Sequence, residues 1–162
     1  MGADIHFYVE KKKRDGKWHL AECHEIEPDT YEEKGDSIYI RSQDGGRNYG
    51  FFGLLANVRG YSGESTIPAR GVPKDVSPDL GRYIEQWGCD AHSTSHCSIS
   101  EYEAVCDEFA ELCKKEGNSD YSGPWREVIQ YALDWLSKEA VETALLDDPY
   151  KPDIRFVYFF DN

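Results

Sequence analysis

The stretch that most constrains the fold is Ile154 to Phe160, Ile-Arg-Phe-Val-Tyr-Phe-Phe. It is so rich in aromatic and β-branched residues that it reads as a strand covered on both faces, and such a strand belongs inside a sheet rather than at its edge. Its natural neighbour lies at the other end of the chain. From Ala3 to Lys12, Ile5, Phe7 and Val9 alternate with Asp4, His6, Tyr8 and Glu10, the two-residue period of a half-buried strand. Asp15-Gly16 suits a tight turn, so Lys17 to Ile26 is expected to return antiparallel, with Trp18 and Leu20 facing one way. Ile38 to Ile40 is a further short alternating run.

Helical periodicity fills the second half. Ser77-Pro78 forms an N-cap and first-turn pair, and Leu80, Tyr83, Ile84 and Trp87 keep helical spacing as far as Gly88. Ser98 and Glu101 form a capping box ahead of Tyr102, Val105, Cys106, Phe109, Leu112 and Cys113, with Gly117 as the stop. Pro124 opens another helix, whose apolar face runs Val128, Ile129, Ala132, Leu133, Leu136, Ala140, Val141 and Ala144 and which ends near Leu145. The reading is one α+β domain over residues 1–162. Its mainly antiparallel sheet includes the first and last strands and packs against two long helices, with a Gly/Arg-rich loop region between. A chain of 162 residues with 40% hydrophobic side chains can bury such a core.

The loop region, residues 41–82, holds eight of the 14 glycines, and its helical periodicity is brief, at best Phe51 to Val58. It is also the basic part of an acidic protein. Arg41, Arg47, Arg59, Arg70, Lys74 and Arg82 outnumber Asp44, Glu64, Asp75 and Asp79 by two, which leaves −15 to the rest of a chain whose total is −13. That total disfavours non-specific nucleic acid and anionic membrane surfaces as partners. No signal peptide or spanning run is recognisable, and the odd set Cys23, Cys89, Cys97, Cys106 and Cys113 suits reduced thiols, so a cytoplasmic location is expected. The Lys11-Lys12-Lys13-Arg14 run reads as a solvated hairpin tip.

Arginine forks match phosphate, glycines let backbone amides approach it, and Tyr49, Phe51, Phe52 or Tyr61 can stack on a base. These are the ingredients of a nucleotide pocket; the plain alternative is arginines paired with surface carboxylates and aromatics in the core. Two Asp-x-His units, Asp4-Ile5-His6 and Asp90-Ala91-His92, add carboxylates that can each orient an imidazole. If both imidazoles face one pocket, His6 and His92 would serve as acid and base on a phosphodiester; otherwise they bond a ligand or the protein itself. Cys89, His92, His96 and Cys97 place four zinc-ligand types within nine residues, though not at finger spacing, and no metal or other cofactor is expected. Nucleophile elbows, Walker loops and dinucleotide fingerprints are absent from the sequence.

Several segments resemble, in order, a family of small bacteriophage and prophage proteins that open Met-Gly-Cys-Asp-Ile-His. They are Met1-Gly2-Ala3-Asp4-Ile5-His6, Arg47-Asn48-Tyr49 with Phe52 and Leu55, Val58-Arg59-Gly60, Arg70-Gly71-Val72-Pro73 with Asp75 and Ser77, and Trp87 with Asp90-Ala91-His92-Ser93 and Ser95. The likeness covers about the first hundred residues in pieces. Ala3 stands where the family has cysteine, so any role of that thiol is missing here. The resemblance implies a phage accessory protein acting in the host cytoplasm against nucleotide-based immune signals such as cyclic ADP-ribose variants or cyclic dinucleotides. His6, Arg47, Asn48, Tyr49, Arg59, Arg70, Asp90, His92 and Ser93 carry over as site residues.

The leading expectation is therefore a sequestering protein, often a homo-oligomer in such cases. Arginines would grip phosphates, Tyr49 or Phe52 would stack on a base, and Asp4, Asp90, His6, His92, Ser93 and Ser95 would supply hydrogen bonds. One rival is a metal-independent phosphodiesterase using His6 and His92. Another is an acidic DNA mimic, or an inhibitor that caps a host protein through the −15 remainder.

Overall fold

A computed structural model describes residues 2–21, 47–59, 65–118 and 123–161. Cys23, the Ile38 to Ile40 run, Arg41, Tyr61 and the far end of the expected Lys17 to Ile26 strand lie outside the described residues. The elements in chain order are β1 (Asp4–Lys12), β2 (Trp18–Leu20), α1 (Tyr49–Ala56), α2 (Pro78–Trp87), a 3-10 turn (Gly88–Asp90), β3 (His92–Ser98), α3 (Ile99–Glu116), α4 (Gly123–Leu145) and β4 (Asp153–Asp161).

The aromatic run and the opening alternation do pair. β4 lies antiparallel to β1 in unbroken register from Asp4 opposite Asp161 to Lys12 opposite Asp153, and the sheet order is β2-β1-β4-β3. Because successive strand residues face opposite ways, β4 supplies aromatics to two layers. Phe156, Tyr158 and Phe160, with Phe7 and Val9, meet α1, α3 and α4 in the larger core around Phe51, Phe52, Tyr102 and Trp125. Val157 and Phe159, with Tyr8, meet Leu80, Tyr83 and Ile84 of α2. The architecture is thus α+β with helices on both faces, the short α2 covering the face that the two long helices leave open.

The local signals operate as read, with one exchange. Ser98 Oγ accepts from Glu101 N at 3.2 Å while the Glu101 carboxylate accepts from Ser98 N at 2.9 Å, and Gly117 ends α3 in the left-handed conformation at φ 69°. At α2, Pro78 takes the first turn, but the Ser77 hydroxyl makes no capping bond. Its backbone N–H instead donates to Glu10 Oε1 at 2.7 Å, so a strand carboxylate does the anchoring. β3 is a strand that the sequence pattern does not announce. Its polar sequence still alternates, burying Ser95 and Cys97 and interrupting the ladder with a bulge between His92 and Ser95. Among the described residues no helix is long and apolar enough to cross a membrane.

Candidate functional site

The first residues of β1 and the last of β4 form a polar corner on the α2 face of the sheet. Asp4 and His6 share that face by strand periodicity, and Asp161 lies opposite Asp4. Asp161 holds two partners, accepting from the Asp4 backbone N–H at 3.2 Å through one oxygen and meeting His6 Nε2 at 3.1 Å through the other. The imidazole stacks on Phe159 at 4.4 Å between ring centres and meets the Trp87 indole at 4.5 Å. Arg47 reaches in from just before α1 and grips Asp4 with both prongs, Nε to Oδ1 and Nη2 to Oδ2 at 2.7 Å. The guanidinium holds the Asp4 carboxyl below its ordinary range, and the carboxylate raises that of Arg47. Gly2 makes room for this contact: a Cβ there would stand 2.7 Å from an Arg47 nitrogen. The spacing-based pairing of Asp4 with His6 is therefore replaced by two pairs, Asp4 with Arg47 and His6 with Asp161. The second partner lies 155 residues away, beyond the reach of local pattern.

The remaining sequence-derived residues are dispersed. Arg70 sits beside β3, its fork filled by Glu101 (Nη1 to Oε2 2.9 Å) and its Nη1 also donating to the His96 carbonyl at 3.0 Å. His96 is opposite Val157, four strand positions from Asp161, roughly 13 Å along the sheet at ~3.3 Å per residue. Arg47 and Arg70 thus grip separate carboxylates at separate places, and the expected arginine cradle is not assembled from them. Arg59, at φ 51°, lies over the Tyr49 ring at 5.4 Å. Asn48 spends its amide oxygen capping α1, accepting from Phe51 N at 3.0 Å. Phe52 is wholly buried against Trp125 and Phe160 and cannot stack on a ligand. Ser95 is buried too, bonded to the Pro68 carbonyl and the Arg70 amide, so its role is to hold the 68–70 loop to β3. Asp90 is exposed at the end of the 3-10 turn, next to the exposed Cys89.

His6 and His92 do not share a pocket. His6 stacks on Phe159 and His92 on Phe160, consecutive residues of one strand that point to opposite faces. His92 has a second peculiarity. Its Nδ1 meets Ser93 Oγ at 3.0 Å, Ser93 is held at φ 52°, and its Nε2 is buried with no hydrogen-bond partner among the described residues. Cys97 is buried in the core and its thiol pushed up by desolvation, while Cys89 is exposed. Among the described residues no group of three or more His, Cys, Asp or Glu side chains is placed to hold a metal.

Two clusters escaped sequence reasoning. Arg155 donates to Glu10 Oε2 at 2.7 Å and to Asp75 Oδ1 at 2.6 Å and lies 4.1 Å from the Trp18 ring centre, while Trp18 Nε1 donates to Asp75 at 3.0 Å. Every prong is used, which makes this a staple for the 75–77 loop rather than a binding site. The basic hairpin tip is not simply solvated either. Lys11 is buried with its ammonium 5.3 Å from the Tyr131 ring and 5.2 Å from Trp135, and Arg14 spans Glu139 and Asp148 across a groove of about 340 Å³. Compared with family models, curated proteins and solved structures, the chain matches none.

Proposed function

We propose that the chain is a nucleotide-binding protein of the sequestering kind, a phage-type antagonist of a cyclic nucleotide signal, with its site at the Asp4–His6–Arg47–Asp161 corner. The observation that carries this reading is the Arg47–Asp4 pair. Both side chains are about half exposed, at 57% and 49%, so water screens the pair and a phosphate can take the guanidinium from the carboxylate. Around it, Asp4 and Asp161 can accept from ribose hydroxyls or base amines, and the half-buried Trp87 offers an edge to a base. Binding is favoured over cleavage because the two histidines needed as acid and base lie on opposite faces. The test is to incubate the protein with cyclic dinucleotides and cyclic ADP-ribose isomers, heat-denature it and analyse the supernatant. Recovery of the intact compound after depletion from solution supports sequestration, a linear product means cleavage, and no depletion of any of them rejects the reading.

A further inference from the structure

The two halves of α4 have different surroundings. Trp125, Val128, Ile129 and Ala132 are buried in the core, whereas Leu133, Val141, Leu145 and the following Leu146 are 42%, 61%, 80% and 69% exposed. Their exposure is not the fraying of a loose end. On its inner side the same half is tied down by Arg14, bonded to Glu139 and Asp148, and by Trp135 against Lys11. The outer face is therefore presented on a fixed helix. Along it Leu133, Ser137, Ala140 and Ala144 recur at spacings of four, three and four, the seam by which one helix packs on another, with Val141 and Leu145 beside it. An apolar stripe held open to water in this way marks an interaction surface.

Charge decides what covers it. Of the acids in residues 127–148, Glu139, Glu142 and Asp148 are met by Arg14 on the inner side, which leaves Glu127, Asp134 and Asp147 against the cation Lys138. A second copy packed antiparallel on this face would bring acidic borders together in a protein that already carries −13. We propose that the outer face of α4 docks a basic amphipathic helix of a partner protein, its apolar residues at i, i+4 and i+7 entering the Leu133–Ala144 seam and its Lys or Arg residues meeting Glu127, Asp134 and Asp147. This stands independently of the nucleotide corner, which lies on the other face of the sheet.

The probe is a fluorescein-labelled peptide of about 14 residues, leucine and lysine in helical amphipathic order, against an isomer of identical composition in scrambled order. Fluorescence anisotropy with the full chain at near-physiological salt should show the ordered peptide binding about tenfold or more tightly than the scrambled one. Val141→Asp with Leu145→Asp should cost about tenfold or more, Asp134→Lys should weaken binding as well, and Arg47→Ala should leave it unchanged. These are surface positions, and an unchanged circular dichroism melt confirms that the variants fold. Equal binding of the two peptides, or no loss in the Val141/Leu145 variant, overturns the proposal. So does a dimer in sedimentation velocity that Leu145→Asp dissociates, which would give the face to a second copy.

Discussion

Two arginine–carboxylate clusters occupy the same face of the sheet at opposite ends of the β1–β4 ladder, and they differ in nearly every physical respect. At one end Glu10 is fully buried, and Arg155, 9% exposed, divides its donors between Glu10 and Asp75 over the Trp18 ring. At the other end Arg47 and Asp4 are about half exposed, and among the described residues each is the other's one ion-pair partner. A guanidinium whose donors are all engaged inside the protein is architecture, because no ligand can offer it more than it already has. A solvent-screened pair can exchange its carboxylate for a phosphate. Arginine content alone does not separate the two cases; burial and the number of partners do.

The sharpest way to break the comparison is to remove one member of the buried cluster. Glu10→Ala takes the acceptor from Arg155 Nε and from the Ser77 amide, leaving Arg155 only Asp75, and should cost about 2 kcal/mol or more in urea denaturation. Glu10→Gln combined with Arg155→Met should recover much of that loss, because no buried charge is left unpaired and an acceptor for Ser77 remains. Equal costs for the single and double changes would mean that the cluster stabilises through packing alone.

Acid titration tests the third pair, Arg70 with Glu101, which has intermediate exposure. The guanidinium and the Ser98 amide bring the Glu101 carboxyl down to about 2, and Asp75 is lowered in the same direction by Arg155. Carboxylates lowered in the folded state contribute stability that is fully present above their unfolded values, 4.5 for Glu101 and 3.8 for Asp75, and that is lost as the pH falls below them, for Glu101 toward about 2. The urea midpoint should therefore drop across that window. Glu101→Gln should flatten part of the slope, and an unaltered slope would remove Glu101 from the linkage.

Much of the fold was legible because its signals are local or terminal. The aromatic run of β4, the alternation of β1 and the Ser98/Glu101 box each state their structure within a few residues. β3 was illegible because His-Ser-Thr-Ser-His-Cys-Ser offers few apolar residues to alternate and a bulge breaks its register. For α4, periodicity shows an apolar stripe but not whether anything lies against it, and only the first half of that stripe is covered. The site was half legible. Asp4, His6 and Arg47 were singled out by residue type, but the pairing of Arg47 with Asp4 was not, nor was Asp161, which joins His6 only through the β1–β4 register. Asn48, Phe52 and Ser95 carry site-like chemistry in sequence yet are used up in a helix cap, a core and a loop anchor.

At the exposed end the expected effect on stability is the smallest and the effect on function the largest. Asp4→Asn should leave the thermal midpoint nearly unchanged while freeing the Arg47 fork, so affinity for an anionic nucleotide should rise. Gly2→Ala, by crowding the guanidinium off Asp4, should act in the same direction.

The most direct measurement is isothermal titration of a cyclic nucleotide into the unaltered chain, Asp4→Asn and Arg47→Ala. A phosphate site at this corner predicts an affinity a few-fold tighter for Asp4→Asn and about tenfold or more weaker for Arg47→Ala, with all three proteins melting alike. Affinity that is the same in all three, or that falls in Asp4→Asn as far as in Arg47→Ala, would contradict it.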